Sequence, residues 1–266
     1  MELKLIEKDK KNNRIVFNIT GTTPAFANTL RRTIIDNTPV MAIEDVEFKA
    51  NSSALYDEVI AHRLGLIPLK TDLESYNVPA KCTCQGATCL KCTLKLTLKA
   101  KGPCTVYASE LKSKDPKVKP VFPDMPIVKL LKNQELEFEA TAVLGIGRDH
   151  MKFSPGLAWY KYTPEIEIDT KKCTNCGKCC EQDPAGILSM KGNKLNVNRE
   201  KMIECTLCGA CLDSCPEDAV KLKEDSSNIT FYVESFGQLE PTEMVIQALN
   251  MFSQDVDEFV TKLKSV

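Results

Sequence analysis

The chain has 266 residues, of which 43% are hydrophobic and 27% charged, with a formal net charge of −1. That length suits two or three domains rather than one core, and the near-neutral balance removes any global field that would draw the chain to nucleic acid or an anionic membrane. No apolar run approaches the roughly 18 residues of a spanning helix. The N-terminus, Met1-Glu-Leu-Lys-Leu-Ile-Glu-Lys8, alternates charge and hydrophobe, unlike a secretory leader. Most of the 13 cysteines fall in C-x2-C clusters, which suit metal ligation in a reducing cytoplasm better than disulfides. The expectation is a cytosolic metalloprotein.

Taken in chain order, residues 1–20 alternate about a polar Asp9–Asn13 turn, with Leu3, Leu5, Ile15, Phe17 and Ile19 as the apolar set. This pattern predicts a β-hairpin. Thr22-Thr23-Pro24 then supplies cap residues and a proline at the first helical position. Phe26, Ala27, Leu30, Ile34 and Ile35 form the stripe of a helix over 24–36. Val40–Phe48 returns to strand character, and 56–64 reads as a helix stopped by Gly65 as a C′ glycine. Leu94, Leu96, Leu98 and Val106 alternate as strands, and Cys104 among them reads as a core residue. Residues 112–126, with four prolines among lysines, form a loop whose lysines are a solvated face.

Between these elements lies Cys82-Thr-Cys84-Gln-Gly-Ala-Thr-Cys89-Leu-Lys-Cys92. Four thiols in two short ligand turns suit a closed tetrahedral site, which points to structural zinc on Cys82, Cys84, Cys89 and Cys92. A redox disulfide or an unmetallated thiol loop is the alternative.

Two further rows, Cys173-Thr-Asn-Cys176-Gly-Lys-Cys179 and Cys205-Thr-Leu-Cys208-Gly-Ala-Cys211-Leu-Asp-Ser-Cys215-Pro216, read as an iron–sulfur module of the two-cluster ferredoxin type. Gly177 and Gly209 let the backbone turn closely around a cluster. The rows repeat at an offset of 32, which also superposes Pro184 on Pro216 and Ile187-Leu188 on Ala219-Val220. In such modules the fourth cysteine of a run ligates the other cluster. Cys173, Cys176, Cys179 and Cys215 therefore make one full set. Cys215 aligns with Asp183, so Cys205, Cys208 and Cys211 lack their fourth thiol. That corner is open to Cys180, to Asp183 or to nothing. Two 4Fe–4S clusters are expected, the second prone to a 3Fe–4S form. Cys180 is otherwise a small buried hydrophobe.

At the C-terminus Pro241 starts a helix over 241–264, with Met244, Val245, Ala248, Leu249, Phe252, Val256, Phe259, Val260 and Leu263 on its stripe. At ~1.5 Å per residue it is about 36 Å long. So long a stripe suits docking on a partner, with intramolecular packing as the alternative.

Three stretches carry a family resemblance: Thr22-Thr-Pro-Ala-Phe-Ala-Asn-Thr-Leu-Arg31-Arg32-Thr33, Val40-Met-Ala-Ile-Glu-Asp-Val46 and Asp57-Glu-Val-Ile-Ala-His62-Arg63-Leu-Gly-Leu-Ile-Pro-Leu69. Gly147-Arg-Asp-His-Met-Lys-Phe-Ser-Pro-Gly156 adds a fourth. Together they resemble the D-type family of archaeal RNA polymerase subunits, α-like assembly proteins related to the bacterial α N-terminal domain and to the third-largest subunit of eukaryotic polymerase II. The resemblance implies an α+β chain. Residues 1–46 and 225–266 would form a dimerisation domain, 47–165 an inserted mixed-sheet domain with the zinc-type loop, and 166–224 a ferredoxin-like domain. It also implies heterodimerisation with subunit L through the 24–36 and 241–264 helices. Recruitment of subunits N and P and docking on the second-largest subunit would follow, with Arg31 and Arg32 facing the latter. DNA would be met only through the complex, and no membrane would be involved. No catalytic residue is expected on this chain: it has two histidines and no Gly-rich phosphate loop.

An electron carrier or redox sensor is the competing class, and a zinc-dependent nucleic-acid binder a third. Over 173–216 the acids Glu181, Asp183, Glu200, Glu204 and Asp213 balance the bases Lys178, Lys191, Lys194, Arg199 and Lys201. That balance leaves little steering toward a charged redox partner. The third class lacks a basic patch interleaved with aromatics.

Overall fold

Alternation at the N-terminus does make a hairpin. In the computed structural model, which describes residues 1–84 and 89–265, Glu2–Asp9 forms strand β1 and Arg14–Thr20 strand β2. Asp9 shapes the turn by accepting the N–H groups of Lys11 at 2.9 Å and Asn12 at 3.1 Å. β2 buries Ile15, Val16, Phe17 and Ile19, whereas Leu3 and Leu5 of β1 stay 67% and 56% exposed. The expected apolar face is thus half covered, because β1 is an edge strand.

Pro24–Asp36 is helix α1, over the predicted span. Thr23 Oγ1 accepts the Phe26 N–H at 3.3 Å, satisfying an orphan donor of the first turn, and Ala27, Leu30 and Ile34 are buried. There follow β3 (Val40–Asn51), α2 (Asp57–Gly65), β4 (Thr93–Lys101), β5 (Cys104–Tyr107), β6 (Lys112–Ser113), β7 (Pro126–Leu130) and β8 (Glu135–Gly145). The chain continues through β9 (Gly156–Ile168), α3 (Lys178–Glu181), β10 (Leu188–Lys191), β11 (Lys194–Val197), α4 (Ala210–Asp213), β12 (Val220–Ser235) and α5 (Pro241–Lys264). Residues 85–88 of the predicted cysteine loop lie outside the described residues. Two four-stranded sheets, β1-β2-β12-β9 and β3-β8-β4-β6, accompany the pairs β5-β7 and β10-β11. The chain divides into two compact units, one of residues 1–6, 16–27 and 160–231, the other of 7–15, 28–159 and 232–266.

In the second unit β4 buries Leu94, Leu96, Leu98 and Ala100 and turns its lysines outward. Their antiparallel partners on β8 are Ala142, Ala140, Phe138 and Leu136, so most pairs set a large side chain against alanine. This layer shares one buried cluster with Ile60 and Leu64 of α2. On the outer face Lys99 meets Glu137 at 2.5 Å, an exposed pair of small energetic weight. Cys104 lies in β5, half buried against the same cluster.

Two expectations need correction. Gly65 ends α2 without the left-handed cap: Leu66 follows at φ −87°, its N–H reaching the carbonyls of His62 and Arg63, each at 3.3 Å. The stripe of α5 is neither wholly packed nor wholly free. Met244 and Ala248 are 0% exposed, while Phe252 to Ser265 are all exposed, with Phe259 at 65%. Among the described residues no helix is long and apolar enough to cross a membrane.

The β4–β8 layer predicts a clear contrast. Leu96→Ala should cost about 2–5 kcal/mol through the cavity it leaves, and Lys99→Ala less than about 1 kcal/mol. Urea unfolding followed by the fluorescence of Trp159, the single tryptophan, measures both.

Candidate functional site

The 3-10 turn Pro79–Lys81 precedes Cys82, and β4 begins directly after Cys92. Within this span Cys82 Sγ stands 3.6 Å from Cys89 Sγ, and Cys92 Sγ stands 3.7 Å from both Cys84 and Cys89. All four sulfurs lie within 4.8 Å of one another. Thiolates held ~2.3 Å from one tetrahedral ion are roughly 3.8 Å apart, so the set is at ligating distance. The Cys89 N–H points at Cys92 Sγ at 3.4 Å, a contact that orients a donor. The backbone N–H and thiol of Cys84 hold the Cys82 thiol down at about 7, which makes its thiolate accessible near neutrality. These four cysteines form a cluster able to hold a metal ion.

The two later rows behave differently. Their repeat of sequence is also a repeat of backbone. Asn175 and Leu207 adopt φ of 54° and 59°, Gly177 and Gly209 of 77° and 78°, and Gly186 and Asp218 of 61° and 47°. The two paired glycines occupy the left-handed region at no steric cost and start the four-residue helices α3 and α4. Those helices carry the third cysteine of each row inward, leaving Cys179 and Cys211 5% and 8% exposed.

Two small cavities lie beside these helices. The first brings Cys173, Cys176 and Cys179 together with Cys215 from the other row. The second brings Cys205, Cys208 and Cys211 together with Asp183. Cys180 lines neither; it packs against the small apolar cluster of Cys179, Leu188, Cys211 and Val220. Among the described residues the loop cysteines are the one set of three or more metal-ligating side chains within 4.8 Å. The thiols around the two cavities are therefore spread wider than single-ion ligands.

Burial, with Cys180 alongside, pushes the Cys179 thiol up to about 12, and burial also raises that of Cys211. At Cys215 burial is outweighed by N–H donors from Ala219, Val220 and Glu217, which lower its pKa. Lys161 of β9 anchors the start of the second row by donating to the carbonyls of Ile203 and Cys205, the latter at 3.2 Å. Burial lowers its pKa.

A separate convergence escaped the sequence. The chain's two histidines, His62 and His150, line one cavity with Glu44 and Lys152. Lys152 Nζ donates to the Ile43 carbonyl at 3.0 Å and pairs with Glu44 at 2.5 Å. It thereby ties together two of the stretches that carry the family resemblance. Ile43 and Lys152 are 109 positions apart, too far for any periodicity to link them. Arg63 donates to the Pro126 carbonyl at 2.8 Å. Arg31 turns back to Asn28 at 3.1 Å, and Arg32 pairs with Asp36 at 3.7 Å.

Comparison with known proteins supplies the class. Residues 35–156, which hold the second sheet and the Lys152 convergence, match the RNA polymerase Rpb3/RpoA insert domain. This is an RNA polymerase subunit built around that insert. Over nearly its whole length the chain is similar to DNA-directed RNA polymerase subunit Rpo3 of Methanosphaera stadtmanae, at 37% identity covering 98% of this chain and 97% of that protein. The Rpo3 of Methanothermobacter thermautotrophicus is 39% identical, with 96% of each chain covered. That of Pyrococcus horikoshii is 38% identical, covering 99% of this chain and 98% of the relative. The chain belongs to the Rpo3 family of DNA-directed RNA polymerase subunits.

The compact cysteine cluster predicts a stoichiometry. Cys84→Ser should release one bound metal ion per chain, whereas Cys104→Ser, outside the cluster, should release none. Metal content by mass spectrometry of the two purified variants is the measurement.

Proposed function

We propose that this chain is the non-catalytic assembly subunit of DNA-directed RNA polymerase, pairing with the small α-like subunit L to nucleate the enzyme. The observation that carries this reading is the split helix α5. Its first turns are packed, and its last three to four turns present Phe252, Val256, Phe259, Val260 and Leu263 to solvent. An apolar stripe of that length on a helix is a surface for a partner helix. On this reading residues 1–46 and 225–266 form the dimerisation domain, 47–165 the insert domain and 166–224 a ferredoxin-like domain. The heterodimer with L recruits subunits N and P and docks on the second-largest subunit. Contact with DNA comes through the complex, in the cytoplasm.

The cysteine sites fit two kinds of metal group. The closed four-thiol cluster of Cys82, Cys84, Cys89 and Cys92 suits structural zinc, which needs no open position. Cys173, Cys176, Cys179 and Cys215 would hold one 4Fe–4S cluster, and Cys205, Cys208 and Cys211 three corners of a second. Wide thiol spacing and apolar walls, Leu195 and Val220 in one cavity and Ile166 and Leu222 in the other, support that assignment. Bound clusters supply metal–sulfur bonds that act as folding free energy for the segment. The five-to-five charge balance over 173–216 favours this structural or regulatory role over electron transfer to a charged partner.

Assembly tests the first part. Burying one large apolar side chain is worth roughly 1.5–3 kcal/mol, so Phe259→Asp should weaken the heterodimer at least about 10-fold, read by size-exclusion chromatography of the co-expressed pair. A wild-type chain that stays monomeric with subunit L present would refute the reading. Iron content tests the second part. Cys215→Ser, although in the second row, should strip iron from the first cavity while the pair with L still forms, which anaerobic iron and acid-labile sulfide assays on the purified heterodimer would register.

A further inference from the structure

The two halves of the cysteine segment are alike everywhere except at one ligand position, and there the structure supplies a carboxylate. Resting on the iron–sulfur reading above, we propose that Asp183 is the fourth ligand of the second cluster, holding one iron through oxygen where Cys215 holds its counterpart through sulfur.

Four observations converge on this. The offset of 32 that superposes the rows places Asp183 on Cys215. The backbone obeys the same offset on both sides of that position, through the pairs 175/207, 177/209 and 186/218 of matched positive φ. The turn that follows is matched as well, since Gly186 N–H reaches Asp183 O at 3.2 Å and Asp218 N–H reaches Cys215 O at 3.3 Å. Each of the two cavities has three thiols of one row plus one side chain of the other: Cys215 in the first, Asp183 in the second.

Orientation agrees with these four. The Cys215 sulfur accepts the N–H of Ala219 at 3.3 Å. The Asp183 carboxylate accepts the N–H of Ala185 at 3.1 Å and of Leu188 at 2.6 Å. In each half, then, backbone N–H groups just after the fourth position hold its side chain. An anion so held is aimed into the cavity by the fold itself. Cys180, the other candidate donor, lines neither cavity.

Carboxylate oxygen is a harder and weaker donor to cluster iron than thiolate. The iron on Asp183 is accordingly the removable one. Ferricyanide withdraws one electron from a 4Fe–4S core of charge 2+. The iron held by Asp183 then leaves as Fe2+, freeing the carboxylate, and a 3Fe–4S core of charge 1+ with an EPR signal remains. The all-thiolate first cluster resists the same treatment.

The test uses the full chain, purified anaerobically with subunit L, in wild-type form and as Asp183→Cys, Asp183→Asn and Cys180→Ser. Iron, acid-labile sulfide and EPR are read before and after one equivalent of ferricyanide per chain. Wild type and Cys180→Ser should each lose one iron per chain on oxidation and gain the 3Fe–4S signal. Asp183→Cys should keep that iron and suppress the signal. Asp183→Asn keeps an oxygen acceptor for only one of the Ala185 and Leu188 N–H groups and binds iron poorly, and should show the three-iron form before any oxidant is added. If Asp183→Asn behaves as wild type, or if Asp183→Cys loses the same iron on oxidation, the proposal fails. It fails equally if Cys180→Ser, rather than Asp183→Asn, shows the three-iron form as purified. Wild type with no acid-labile sulfide would overturn the cluster reading and this proposal with it, a result distinct from either of the others.

Discussion

Between residues 173 and 220 the polypeptide has almost no apolar core, and thiols stand where one would be. Among the described residues the buried apolar set there is Cys179, Ile187, Leu188, Cys205, Cys211, Ala219 and Val220, three of them cysteines. A segment of this size cannot offset its conformational entropy with so little burial; on the iron–sulfur reading proposed above, its order depends on what its cysteines bind. The other features of the segment serve that dependence. Left-handed glycines start two short helices, the helices turn one thiol of each row inward, and backbone N–H groups aim the fourth donor. Each cavity draws that donor from the opposite row, so neither half is complete alone.

The loop at 82–92 solves a different problem with the same residue type. Its sulfurs are packed at 3.6–3.7 Å, the separation a single tetrahedral ion imposes. Around the two cavities the thiols are wider apart, which suits a group with several metal corners. Spacing in space, more than cysteine number, separates the two kinds of site.

The second unit obtains its stability conventionally, from alternating strands in the β3-β8-β4-β6 sheet closed by α2. Lys152 adds a polar tie across it, linking Ile43 and Glu44 to the 147–156 stretch. The chain leaves contiguous apolar residues exposed on β1 and along the distal half of α5. Exposure on that scale is costly for a lone protein and natural for one component of an assembly such as RNA polymerase.

Local periodicity and spacing determined much by themselves. The bounds of α1 and α5, the hairpin of β1 and β2, the strand alternation of β4 and the repeat of the cysteine rows are all short-range patterns, set by residues within a few positions of one another. Sequence alone also marked Asp183 as the odd partner of Cys215. It had no means to choose between Asp183 and Cys180, the choice behind the proposal above, because that turns on which side chain lines the second cavity. Likewise the stripe of α5 was legible but its division into packed and open halves was not, nor was the exposure of Leu3 and Leu5 on the edge strand β1. Tertiary structure decided these points, since burial, cavity lining and the meeting of His62 with His150 depend on contacts between residues distant along the chain.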